Sequence, residues 1–198
     1  YNDYVPEEAS SRDPSYPAQV FDNKWRSLGL HWVGDLAVEC DVEVKSDRGQ
    51  FVIDIVEGGV HYSCTFDLSS GQATLRASAD ADLSKPSEDV VFTQGEAPYE
   101  TLVDASKEPL QALISLKPTP VKGKGRYSIR WANADDRLYL WVNNKVVEFP
   151  GQASFSRQGD VYPKWSSTDS GDAEPVGVGC RNASVAVSSL RVFRDVYY

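Results

Sequence analysis

The chain has 198 residues, 25% of them charged, and a formal net charge of −9. That length suits one ordinary domain with a real core, and no apolar run approaches the 18 residues a membrane helix needs. The acidic balance repels phosphate backbones and anionic lipid, which argues against nucleic-acid and membrane-surface binding.

Residues 1–20, YNDYVPEEASSRDPSYPAQV, are rich in Pro, Ser and acids without an apolar period, and read as an extended tail or linker. The remainder, 21–198, is expected to form a single domain. The chain begins at Tyr1 and contains no methionine. The expectation is therefore a processed product or an excised piece of something longer.

From Trp25 onward the dominant signal is period-2 alternation, the signature of strands. In LAVECDVEV, residues 36–44, Val38, Cys40, Val42 and Val44 alternate with Glu39, Asp41 and Glu43. After the SDRGQ turn comes FVIDIV, then Glu57-Gly58-Gly59, which offers the positive-φ positions of a tight hairpin. The return strand VHYSCTFDL sets Val60, Tyr62, Cys64, Phe66 and Leu68 on one face, and Ser69-Ser70-Gly71 turns into QATLRAS.

Residues 78–100 are loop-like with one short apolar run. Residues 104–116, DASKEPLQALISL, hold the only helix-like stretch, with Asp104 as its cap and Pro109 limiting it to a turn or two. Alternation resumes at 125–149, read as strand, NADD turn, strand, Asn143-Asn144 turn, strand. A polar loop fills 150–174, and two more strands joined at Arg181-Asn182 end the chain. Many short alternating strands with almost no helix predict an all-β sandwich or barrel.

GRYSIRWANADDRLYLWVNNKVVEFPG resembles the paired-strand hairpin of concanavalin A-like, or laminin-G-like, jelly-roll domains. The closing GVGCRNASVAVSSLRVFRDVYY is similar to their final strands, and GDLAVECDVEVKSDRGQFVIDI to their opening pair. The resemblance covers most of residues 20–198 and implies a concanavalin-like jelly-roll β-sandwich of two antiparallel sheets. Its motifs are packing patterns, so it implies a fold rather than a chemistry.

A narrower resemblance lies at the borders. YNDYVP and LRVFRDVYY look like the ends of a domain inserted in some bacterial signal peptidase I-like proteins. Those enzymes use a serine activated by a lysine, with Ser-Met at the nucleophile and a GDN-type box later. This chain has neither. The resemblance then implies a non-catalytic insert whose host polypeptide, extracytoplasmic and membrane-anchored, carries the dyad elsewhere.

Three site readings follow. Glu39-Cys40-Asp41-Val42-Glu43 matches the E-x-D-x-E of laminarinase-class glycosidases, where nucleophile, assisting carboxylate and general acid share a strand. Retention needs the two carboxyl groups about 5–5.5 Å apart, whereas positions i and i+4 of a strand lie about 13 Å apart. The motif also comes early in the chain, without aromatic-rich segments before it. The expected reading is the wet face of a strand, its acids paired with cross-strand Lys or Arg; catalysis by Glu39, Asp41 and Glu43 is the alternative.

In RLYLWVNN, Leu138, Leu140 and Val142 point to the core, while Tyr139 and Trp141 point away and form a candidate sugar-stacking platform. The competing reading places both rings in a small cluster under the 150–174 loop. Trp131 falls on the core parity of its own strand with Tyr127 and Ile129.

His31 and His61 lack metal-ligand spacing, and no G-x-S-x-G elbow supports a hydrolase triad. The acidic turns Asp80/Asp82, Asp135/Asp136 and Asp169/Asp172 resemble oxygen-donor sites for Ca²⁺ in some laminin-G-like domains but lack EF-hand order, so no ion or other cofactor is predicted. Asn182-Ala183-Ser184 fits the N-glycosylation sequon. Cys40, Cys64 and Cys180 are too few for a disulfide scaffold or a zinc site. They read as three small buried side chains, with a Cys40–Cys64 bridge as the alternative.

The expected function is a non-catalytic recognition or structural module of a larger protein, with carbohydrate or protein as ligand.

Overall fold

A computed structural model describes residues 34–79, 90–92, 113–149, 153–157 and 162–195. The strands are β1 (Leu36–Val44), β2 (Gln50–Glu57), β3 (Val60–Asp67), β4 (Gln72–Ser78), β5 (Val90–Phe92), β6 (Leu113–Pro118), β7 (Gly125–Ala134), β8 (Arg137–Val142), β9 (Lys145–Val147), β10 (Phe155–Arg157), β11 (Val176–Arg181) and β12 (Val185–Arg194). They build two five-stranded antiparallel sheets, ordered β12-β1-β7-β8-β9 and β11-β2-β3-β4-β6, with a two-stranded β10-β5 ribbon beside them. This is the all-β sandwich the alternation predicts, in the two-sheet antiparallel jelly-roll form that the concanavalin-like resemblance implies.

The hairpins form where the chain supplies residues that tolerate positive φ. Gly58 and Gly59 adopt φ 56° and 75°, Asp135 and Asp136 51° and 55°, and Asn143 and Asn144 52° and 62°. Two consecutive positive-φ residues twist a two-residue loop to match its flanking strands. Asp and Asn accept that conformation more readily than other side chains.

The core lies between the sheets. One sheet contributes Val38, Cys40, Val42, Ile129, Trp131 and Leu140, the other Phe51, Ile53, Tyr62, Cys64, Phe66 and Leu75, all buried. Each such aliphatic or aromatic side chain contributes about 1.5–3 kcal/mol when removed from water. The indole Nε1 of Trp131 donates to the Tyr62 carbonyl at 3.0 Å, joining β7 to β3 across the sandwich. Phe155 of the ribbon stacks on Tyr62 at 4.7 Å, and Phe92 meets Phe155 edge-on at 6.1 Å.

Three expectations change. The helix-like stretch 104–116 ends in a strand, because Ser115 and its neighbours pair with β4 (Thr74↔Ser115, Leu75↔Ile114). Sheet pairing overrides weak local helix preference there, and residues 104–112 lie outside the described set. Cys180 is exposed rather than buried: it lies on edge strand β11, and its thiol donates to the Ala183 carbonyl at 3.3 Å. The 150–174 loop contains β10 and a short 3₁₀ turn, Gly171–Ala173. The tail, His31 and Asp80/Asp82 lie outside the described residues.

The last two strands join across the sandwich, β11 pairing with β2 and β12 with β1. Opposite Cys40, β12 carries a bulge at Ser189, φ 52°.

Candidate ligand-binding face

Directly paired residues of an antiparallel sheet point to the same side, so register alone assembles the outer face of the first sheet. Arg191 of β12 lies opposite Glu39 of β1, Glu39 opposite Arg130 of β7, Arg130 opposite Trp141 of β8, and Trp141 opposite Val146 of β9. One row thus crosses all five strands. Tyr139 stands two residues along β8, and Asp41 and Glu43 continue along β1 opposite Ser128 and Arg126. The five residues singled out from the sequence share one surface.

The aromatic part is a ladder. Tyr139 and Trp141 are half-buried and stack at 5.7 Å with an interplanar angle of 19°. The Arg130 guanidinium lies 5.8 Å from the Trp141 centroid and that of Arg137 4.9 Å from Tyr139. Cation–π contacts of this kind are worth about 0.5–1 kcal/mol when exposed, and they fix the ring orientation. Leu138, Leu140 and Val142 face the core. The described end of the long loop, 162–174, is hydrogen-bonded to the β2–β3 turn of the other sheet.

The carboxylates take different roles. Arg130 grips Glu39 Oε2 through Nε at 2.9 Å and also through Nη2, while Arg191 approaches Oε1 at 3.3 Å. The Arg130 hydrogen bond, with partial burial opposing it and both guanidinium charges reinforcing it, holds the Glu39 carboxyl below the usual range. Glu39 is therefore an anion near neutral pH and does not serve as a proton donor. Glu43 contacts Arg126 at 3.5 Å and Lys45 at 4.0 Å. Asp41, Glu43, Arg126, Ser128 and Ser188 line a shallow depression of about 540 Å³.

The arginines were absent from the sequence-based site. Arg126 and Arg130 alternate with the core residues Tyr127, Ile129 and Trp131, so their outward direction was readable; their pairing with Glu39 and Trp141 needed the register.

The second sheet carries a polar cluster on its own outer face. His61 Nδ1 lies 2.6 Å from Asp54 Oδ2, and Nε2 3.1 Å from Asp169 Oδ2. Asp172 accepts from the amides of Gly58, Gly59 and Lys164 at 2.7–2.8 Å. Asp169 also accepts from the Gly171 amide at 2.9 Å, so Asp169 and Asp172 together serve a histidine and four amides. Among the described residues no group of three or more His, Cys, Asp or Glu is arranged to hold a metal ion. Also among them, no helix is long and apolar enough to cross a membrane, which bears on helices alone.

Fold and face define the class: a jelly-roll β-sandwich module with an aromatic and guanidinium-lined sheet surface. No protein-family model and no curated protein matches the chain. Among solved structures, the carbohydrate-binding module CBM66 from Bacillus subtilis aligns with 80% of this chain and 74% of its own at 13% identity, TM-score 0.42. Sheep galectin-11 aligns over 83% and 93% at 8% identity, TM-score 0.45. The alginate lyase A1-II′ of polysaccharide lyase family 7 aligns over 89% and 69% at 13%, TM-score 0.41. These are distant likenesses of sandwich architecture and say nothing of this chain's ligand. Nothing in them links the chain to signal peptidase I.

Proposed function

We propose that the chain is a non-catalytic recognition module that binds carbohydrate on the outer face of the first sheet, around Tyr139 and Trp141. The observation that carries this reading is the row Arg191–Glu39–Arg130–Trp141 with Tyr139 beside it. A pyranose offers apolar C–H groups to an aromatic ring and hydroxyls to flanking donors and acceptors. The ladder supplies half-exposed rings, and the Arg–Glu–Arg pairing supplies donors and acceptors already held in place.

The laminarinase-like alternative asks Glu39 and Glu43 to divide nucleophile and acid roles. Glu39, neutralised by two guanidiniums, is a poor nucleophile and not an acid. Hydrolysis of β-glucans that disappears in Glu43→Gln would restore that reading.

The test is a glycan array with titration of the hits, repeated with Trp141→Ala and Tyr139→Ala. Loss of a stacking ring is expected to weaken binding about tenfold, the factor that 1.4 kcal/mol represents, with the sheet circular dichroism unchanged. A wild-type chain that retains no glycan, or binding indifferent to both variants, overturns the proposal.

The finer placement, an extracytoplasmic insert in a signal peptidase I-like host, rests on the sequence resemblance of the two chain ends. The flanking sequence tests it: Ser-Met ahead of Tyr1 with a Lys or GDN box beyond Tyr198 supports it, and their absence removes it.

A further inference from the structure

We propose that His61, clamped between Asp54 and Asp169, is a pH-operated latch that fastens residues 165–171 to the outer face of the second sheet and releases them when the imidazole loses its proton.

The geometry requires a proton in each of the ring's two contacts. Nδ1 lies 2.6 Å from an Asp54 oxygen, and Nε2 lies 3.1 and 3.3 Å from the two Asp169 oxygens. Carboxylates only accept, and a neutral imidazole donates from one nitrogen while the other presents a lone pair. With both aspartates ionised the full clamp belongs to the imidazolium, and burial, which pushes the Asp54 carboxyl up, lets the same proton sit on either side of the 2.6 Å contact. The His61 side chain is 7% exposed, so water offers little replacement for a lost partner.

The charged neighbours favour the protonated state. Burial pulls the His61 imidazolium down, but the hydrogen bonds and charges of Asp54 and Asp169 outweigh it, and the net displacement is upward from 6.5. Of the other elements packed on this face, β4 places Arg76 opposite Ser63, and β11 places Gly177, which does not titrate, opposite Asp54. Around the β2–β3 turn stand Asp172 and Arg157, the latter bonded to the Glu57 and Gly58 carbonyls.

The release point is Asp169. Asp54 sits on β2 inside the sheet, 14% exposed and with the shorter contact, whereas Asp169 is 24% exposed and belongs to the connecting segment. When one contact must go, it is this one. Asp172 still holds both ends of the stretch, tying its own end to the Gly58 and Gly59 amides and accepting from the Lys164 amide at the other. The freed stretch carries Trp165, already 46% exposed, so the latch governs where that ring stands on the surface.

The sign follows. A histidine whose folded pKa is raised contributes stability fully present below 6.5 and lost as pH rises through the raised value. Hydrogen-exchange protection factors for residues 165–171, with intrinsic pH dependence removed, test it from about pH 5 to about pH 9 on the full chain. Protection is expected to be lost as pH rises across the His61 titration. In Asp169→Asn it should be low and flat, with β2–β3 amides still protected, and His61→Gln should match it. Flat protection in the wild type, or an equal pH response in Asp169→Asn, overturns the proposal.

Discussion

Glu39 and Arg130 stand directly across from each other on β1 and β7, and the guanidinium that holds the carboxylate also lies over the Trp141 ring. One arginine thereby couples the acidic strand to the aromatic one. The consequence is a sheet face whose aromatic and polar groups are oriented before any ligand arrives, which lowers the ordering cost of binding.

That pairing has a pH signature. Because the Glu39 carboxyl is held below its ordinary value of 4.5, chiefly by the Arg130 hydrogen bond, its contribution is present above that value. It is lost as pH falls through the folded-state value. Urea midpoints of the wild type and Glu39→Gln should differ at neutral pH and converge in acid. A constant gap down to the acid limit would show that the pair contributes through shape rather than charge.

The thiols should divide two to one. Cys180 is exposed, whereas Cys40 and Cys64 are buried in opposite sheets. Burial, reinforced by the charges of Asp41 and Glu39, pushes the Cys40 thiol up to about 11, and burial raises that of Cys64 well above its ordinary value. Since the thiolate is the reactive form, a chromogenic disulfide reagent is expected to titrate one thiol in the native chain and three in denaturant. Fast reaction of all three under native conditions would contradict the buried assignment.

Asp172 links the 162–174 segment to the β2–β3 turn by accepting three backbone amides. In Asp172→Asn one carboxylate oxygen becomes an NH₂ that faces donors. A stranded buried donor costs about 1–3 kcal/mol, so the denaturation midpoint should fall accordingly. Retained stability, with Gly58 and Gly59 amides still protected from exchange, would show that other groups hold the turn.

Much of the sandwich was legible along the chain. The alternation in LAVECDVEV separates Val38, Cys40, Val42 and Val44, all buried, from the solvent-side acids. The same logic sorted Leu138, Leu140 and Val142 from Tyr139 and Trp141. Gly58-Gly59 and Asn143-Asn144 marked their hairpins because few residues accept positive φ. The strand at Leu113–Pro118 was misread, since its state depends on an edge of β4 that is distant in sequence. His61 and Asp54 were within reach: folding the hairpin at Gly58-Gly59 puts them diagonally on one face. Asp169, over a hundred residues away, was not.

By itself, then, the sequence determined the strand periodicity, the inward and outward parity of β1, β2, β3, β7 and β8, and the turns between them, because these depend on neighbours one to four residues apart. Tertiary structure alone decided which strands lie side by side, and with that the row Arg191–Glu39–Arg130–Trp141 and the clamp on His61. Both join residues from three or more separate segments, and hydrogen-bond register, which no local pattern encodes, sets their distances.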